Sequence, residues 1–226
     1  MKKLLLPLFF FWQLSAVAQT GLWLDAGLQK KWNKKFSSEF NLGNRHNLGK
    51  GFDRLFLDMS HQYEIYDGIQ VEGAYRFVSN EKGNQFALQR DLFAHRFQIG
   101  FKINVFDLLD AGPKRLTLNW SSTQQWGFQL NQQTSSLWRN KLSLGYDIKN
   151  FPLSPCLSAE HFYRWNANVS NTPTGVLVSG ATTQWRYFFG AAIELPKHHD
   201  LKLQVGFRIR ANGTQPLTRI SYCYQF

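Results

Sequence analysis

The sequence of 226 residues is 43% hydrophobic, 16% aromatic and 18% charged, which supplies far more burial than a disordered chain carries. Beyond Gln19 no stretch stays apolar for the ~20 residues that a membrane helix needs, so a helical bundle in the bilayer is excluded. The formal net charge of +11 raises nucleic acid as a partner, a reading that depends on where the chain resides.

The first residues read as an export signal. Met1-Lys2-Lys3 supplies the positive end, Leu4 to Trp12 the apolar stretch and Ala16-Val17-Ala18 the small-x-small cleavage site. Residues 1–18 are therefore expected to leave, and residues 19–226 to form one domain with a net charge of +9 once Lys2 and Lys3 are gone. No Cys follows the cleavage site, which disfavours a lipid anchor. Export separates the chain from cytoplasmic DNA and RNA, so no nucleic acid partner is expected.

From Gln19 onward the chain alternates with period two. Strands are predicted, in order, at Gly21 to Lys31, Phe36 to Arg45, Leu55 to Tyr63, Ile69 to Phe77, Asp91 to Asn104 and Arg115 to Thr123. Further strands follow at Trp138 to Ile148, Pro155 to Trp165, Gln184 to Leu195, Leu201 to Arg210 and Leu217 to Phe226. In Asp91 to Asn104, Phe93, His95, Phe97, Ile99, Phe101 and Ile103 share one face, and Ala94, Arg96, Gln98, Gly100, Lys102 and Asn104 the other. That makes about eleven strands and no convincing helix.

A soluble sandwich and a membrane barrel both alternate, so the character of each face decides between them. The polar rows mix Gly, Ser, Asn and Gln with opposite charges on one strand, such as Glu72 with Arg76, Glu160 with Arg164, and Arg186 with Glu194, which suits an enclosed, hydrated interior. The apolar rows hold no charge through mid-strand, where one costs about 2 to 4 kcal/mol in a bilayer. They carry aromatics near their ends: Tyr63, Tyr75, Phe77, Tyr146, Tyr163, Trp165, Trp185, Tyr187, Tyr222 and Tyr224. The pattern points to an antiparallel up-and-down transmembrane β-barrel of 10 to 12 strands in the bacterial outer membrane, with lipid as its solvent and a monomer as its state.

Connections are tight at Asn33 to Lys35, Glu64 to Gly68, Lys149 to Ser154 and Pro196 to Asp200. They are long and polar at Val78 to Arg90, Gln124 to Leu137 and Asn166 to Thr183. Short turns belong to the periplasmic side, which puts Phe226 there. Eleven strands conflict with the even counts of bacterial barrels, so either one strand is missed or Gly21 to Lys31 is not a full one.

The last strand, Thr218 to Phe226, alternates to its final residue and ends in Tyr-x-Phe. It resembles the C-terminal signature of bacterial outer-membrane barrels, and that resemblance implies recognition of Phe226 by the barrel-assembly machinery. The whole of residues 19–226, with Trp23 and Trp32 flanking a hairpin around Asn33-Lys34-Lys35-Phe36 and with repeated Arg- and aromatic-bearing strands, also resembles an uncharacterised family of Bacteroidota outer-membrane barrels known only as a domain of unknown function. This resemblance implies fold and location and no activity.

Candidates for chemistry are few. His61, His95 and His161 face outward, where outer-membrane lipid hydrolases keep a catalytic pair, but the His-x-Ser spacing that puts both side chains on one face is absent. Interfacial histidines are the simpler reading, and no enzymatic centre is expected. His198-His199 beside Asp200 lacks metal-ligand spacing, and neither a metal nor a cofactor is expected. Cys156 and Cys223 face inward in an oxidising compartment, so a disulfide is conceivable, but their strands are numbered eighth and eleventh, beyond the ~7 Å bridging limit.

The lumen charge is the best functional lead. By register the interior receives Arg45, Arg76, Arg96, Lys102, Arg139, Lys141, Arg164, Arg186, Lys202, Arg208, Arg210 and Arg219. Against these stand Asp25, Glu39, Asp58, Glu72, Asp147, Glu160 and Glu194. Arg76, Arg96, Lys102, Glu160, Arg164, Arg186, Arg208 and Arg210 are the principal lumen-lining candidates. Two readings follow: a ladder of ion pairs filling a narrow barrel, or a narrow pore whose field favours anions.

Overall fold

Backbone N–H and C=O groups point to both sides of each strand and need partners there, and the chain provides them by closing on itself. In the computed structural model eleven strands form one closed barrel. They are β1 (Gly21–Lys31), β2 (Phe36–Asn47), β3 (Gly51–Tyr66), β4 (Ile69–Asn80), β5 (Phe93–Asn104), β6 (Leu116–Gln129), β7 (Ser135–Tyr146), β8 (Leu153–Thr172), β9 (Gly175–Leu195), β10 (His199–Arg210) and β11 (Gly213–Gln225). The structure describes residues 20–48, 51–80, 93–110, 113, 115–129, 134–172, 175–196 and 198–226. The expected export signal at 1–18 and the residues 81–90 of one expected loop lie outside these.

Consecutive strands pair antiparallel, and β1 pairs with β11 in parallel from Gly21↔Leu217 to Gln29↔Gln225. This seam removes the parity conflict: an odd number of strands closes without an edge when the first and last run the same way. An ion pair crosses it, with Arg219 Nε donating to Asp25 Oδ2 at 2.7 Å, and the amide of Phe226 donates to the carbonyl of Gln29 at 3.0 Å.

Turn chemistry sets the rim that carries Phe226. Asn33 Oδ1 accepts from the amides of Lys35 and Phe36, both at 2.8 Å, an Asx turn that reverses the chain into β2. Gly68 adopts φ +78 in the turn between β3 and β4, a left-handed conformation that glycine takes without steric cost. One helical turn, α1 (Val105–Leu108), follows β5 on this rim, in a chain that is otherwise all-β as expected.

At the opposite rim, where β1 begins, strands run further than the alternation indicates. β6 continues to Gln129 and β7 starts at Ser135, within the stretch expected as a loop from Gln124 to Leu137. The expected loop from Asn166 to Thr183 is the continuation of β8 and β9, which pair with each other from Asn168↔Ser179 to Thr172↔Gly175. Neither neighbouring strand reaches this segment. A hairpin held by its own backbone ladder needs no apolar row, so hydrophobic periodicity is blind to it.

The outward rows form a continuous apolar surface. Ile99 and Phe189 are 62% and 63% exposed, and Leu24, Leu42, Met59, Phe97, Leu142, Leu157, Leu203 and Phe207 are exposed with them. Aromatic rings gather toward both ends: Trp32, Tyr63, Tyr146, Tyr222 and Phe226 near one rim, Trp138, Trp165 and Trp185 near the other. The inner rows make the core, where Trp23, Phe188 and Leu217 cluster across β1, β9 and β11.

Candidate functional site

Inward-facing positions of the strands enclose a cavity of about 420 Å³. Its lining runs from Glu39 and Cys223, near the Phe226 rim, to Asp53 and Arg210 at the Gly21 rim. Among the described residues it takes ten arginines and five carboxylates, and no lysine.

Ion pairs inside the barrel run across strands. Glu160, 2% exposed on β8, accepts from Arg139 Nη2 at 2.6 Å on one side and Arg186 Nη1 at 3.4 Å on the other. Asp58 on β3 takes Arg76 of β4 through both carboxylate oxygens, with Nη2 at 2.6 Å from Oδ2. The same-strand pairs read from the sequence do not form. Residues four apart on a strand lie about 13 Å apart, since each contributes ~3.3 Å, whereas register neighbours such as Glu160↔Arg186 and Asp58↔Arg76 are adjacent. Glu72 instead accepts from Gln62 Nε2 at 3.4 Å.

A second layer of partners consists of aromatic faces that the sequence reading passed over. The Arg45 guanidinium lies 3.6 Å from the centroid of Trp23 and 4.9 Å from that of Phe56. Arg76 also covers Phe56, at 4.6 Å, and Arg186 lies over both Phe162, at 4.2 Å, and Trp23, at 5.0 Å. Rings therefore clamp the guanidinium planes, a cation–π arrangement that strengthens where water is scarce. Gly43 makes room for one of them: a Cβ there would sit 1.9 Å from Phe56 Cζ. The missed signal was parity, because Trp23 shares a row with Asp25, Phe56 with Asp58, Phe162 with Glu160 and Phe188 with Arg186.

Arg76, Arg96, Glu160, Arg164, Arg186, Arg208 and Arg210 line the cavity. Lys102, two residues from the end of β5, is on the inner row but not on the cavity wall. Arg96 donates to Gln125 Oε1 at 3.4 Å, Arg208 to Gln215 Oε1, and Arg210 to Gln184 Oε1 at 3.4 Å. Asp147 is corrected: it lies one residue past β7, exposed, outside the lumen. Arg54 and Asp53, absent from the sequence-derived set, line the cavity mouth and pair at 3.4 Å; a register shift between Arg45 and His46 at this point of the β2–β3 ladder breaks simple alternation.

Four outward histidines each meet a hydroxyl one strand away. His61 Nδ1 lies 2.9 Å from Ser38 Oγ, His95 Nδ1 2.6 Å from Tyr75 Oη, His161 Nε2 3.1 Å from Thr182 Oγ1 and His199 Nδ1 2.6 Å from Tyr222 Oη. A search for His-x-Ser on one strand could not find the Ser38 and His61 pair, because it forms between β2 and β3. His198 has a left-handed backbone at φ 64, Asp200 accepts from Gln225 Nε2 at 2.6 Å, and no three potential metal ligands converge among the described residues. Cys156 and Cys223 are both free thiols, with β9 and β10 between their strands.

An all-β closed barrel with an arginine-lined interior is the class that these observations define. The chain belongs to the family described as protein of unknown function (DUF2490), whose family model matches residues 20–216. No curated protein matches the chain.

Proposed function

We propose that this chain is an outer-membrane β-barrel whose narrow, cation-rich lumen admits small anionic solutes. One observation carries the functional part: the cavity spans most of the strand length with ten arginines against five carboxylates among the described residues, so a diffusing anion meets a favourable field along the way. The location rests on the outward rows, which leave side chains such as Ile99 and Phe189 mostly exposed between two aromatic zones. That is the surface expected of a lipid-facing wall, and closure satisfies the backbone as hydrocarbon demands. In this reading the export signal delivers a monomer, and Phe226 is the handle for the barrel-assembly machinery. Its ring is exposed, with Tyr224 at 6.1 Å and Lys30 Nζ at 5.4 Å.

The test is reconstitution of the purified chain into planar bilayers under a potassium chloride gradient. A reversal potential on the chloride side supports the reading. Absence of conductance, or a potassium preference, reduces the lumen to a structural ladder of ion pairs. Release of the protein from membranes washed at high pH removes the membrane location.

A second reading, lipid hydrolysis, has one observation in its favour: Ser38 Oγ and His61 Nδ1 stand at 2.9 Å, the separation of a nucleophile and its base. Against it, the other outward histidines make equivalent contacts with Tyr75, Thr182 and Tyr222, and His61 has no carboxylate partner among the described residues. Fatty-acid release from phospholipid vesicles with calcium, lost in Ser38→Ala, establishes it; protein inert towards those vesicles removes it.

A further inference from the structure

Deepening the anion reading, we propose that the half of the lumen nearest the Gly21 rim is a binding site for soluble solutes that carry clustered phosphate groups, with Arg45 as its central donor. Inward lysines and arginines are distributed differently along the barrel, with Lys141 at mid-strand on β7 opposite Glu160. Lys102 lies two residues from the Phe226-rim end of β5 and Lys202 three residues from that end of β10. At the opposite end stand Arg45, Arg54, Arg96, Arg164, Arg208 and Arg210, with Asp53 beside them. A field that merely attracts anions needs charge of either type. A mouth built from arginine alone offers planar forks of N–H donors, the geometry that grips phosphate oxygens two at a time.

What holds these arginines points the same way. Arg76, Arg139, Arg186 and Arg219 each bind a carboxylate, so their charge is spent within the barrel. Arg96, Arg208 and Arg210 are held by glutamine oxygens instead; a neutral amide orients a guanidinium without cancelling its charge. Arg45 is held by the faces of Trp23 and Phe56 and has no carboxylate within 4.0 Å among the described residues. Arg186, Arg76 and Arg219 lie within its electrostatic reach, with Asp25 as the attracting carboxylate, and Arg54 lies within that of Arg208 and Arg210, with Asp53 as theirs. Positioned cations that repel one another and outnumber the carboxylates beside them form a site that a polyanion completes. This half opens into the rest of the lumen cavity, which totals about 420 Å³, within the size range of small-molecule pockets. Because these side chains face the lumen, the phosphates must arrive dissolved; the headgroups of surrounding lipid lie outside the wall.

Isothermal titration of the full chain in detergent with inorganic pyrophosphate, against chloride at matched ionic strength, tests this. Saturable binding of pyrophosphate alone is expected. Arg45→Lys, which keeps the charge and loses the fork and the stack, should weaken it at least tenfold. Arg208→Lys, a second variant in case the first fails to fold, should weaken it at least threefold. Lys34→Gln in the turn at the other rim should leave it unchanged. No saturable binding, or Arg-to-Lys variants that bind like the parent chain, overturns the site. The two proposals separate cleanly: chloride-selective current without pyrophosphate binding sinks the site and leaves the pore, and binding in a barrel that does not conduct sinks the pore and leaves the site.

Discussion

The outer wall and the lumen both carry polar side chains, but they satisfy them in different currencies. Outside, four histidines meet neutral hydroxyls on neighbouring strands, and charges are missing from mid-strand. Inside, guanidiniums meet carboxylates, amides and ring faces. The difference teaches what each environment can solvate. A wall facing hydrocarbon, as proposed, tolerates neutral groups that pair within the protein, because an unmade hydrogen bond there costs several kcal/mol. A narrow lumen tolerates full charges wherever their counter-charges converge.

The sharpest way to break that comparison is to remove the acid that two arginines share. Glu160→Ala leaves Arg139 and Arg186 facing each other across an empty site, and the barrel should lose about 3–5 kcal/mol of stability, read by urea unfolding in lipid vesicles. Glu160→Gln keeps an acceptor for one guanidinium and should lose less. If Glu160→Ala unfolds like the parent chain, water already solvates those arginines and the lumen is wider than its geometry indicates.

A somewhat smaller effect is expected from placing a charge on the wall. Ile99→Lys puts an ammonium midway along β5 on the outward row, where Ile99 is 62% exposed; in a bilayer this should cost about 2–4 kcal/mol. Gln98→Lys, one residue away on the inner row, should cost far less. Equal and negligible costs for the two would mean that the outward row touches water, and the membrane assignment would fail with it.

Which of these features could be read in the residues follows from what alternation encodes. Period two depends on one face differing from the other, so strands such as β5, and the barrel class itself, were legible from the purity of the apolar rows. The parallel seam was not, because Gly21–Lys31 reads the same whichever neighbour it meets. Nor were the continuations of β8 and β9, held by their mutual ladder alone. For the lumen, Arg45, Arg76 and Glu160 could be placed inward by parity. Their true partners could not, because cross-strand register decides that Glu160 meets Arg139 and Arg186 and leaves Arg164 elsewhere. Reading polarity row by row also hid Trp23, Phe56 and Phe162: an aromatic on a charged row looks like an exception until the guanidiniums that cover it are seen.

The smallest expected effect probes the neutral side of the comparison. Ser38 Oγ accepts from the Trp32 indole Nε1 at 2.9 Å and shares a hydrogen bond with His61 Nδ1 at 2.9 Å. Ser38→Ala removes both bonds at once. If the triplet serves only to satisfy polar rings near the rim, the loss should be about 0.5–1.5 kcal/mol per bond at most, and less in practice because Trp32 is exposed and can turn to water or headgroups. His61→Phe should then restore part of that stability in the Ser38→Ala background, since a ring with no hydrogen-bonding nitrogen keeps the stack with Phe36, now at 6.0 Å between centroids, and asks for no partner. A double variant less stable than Ser38→Ala alone would show that the imidazole contributes through something other than the hydroxyl beside it, and the rule that outward polar rings merely find neutral partners would no longer describe this wall.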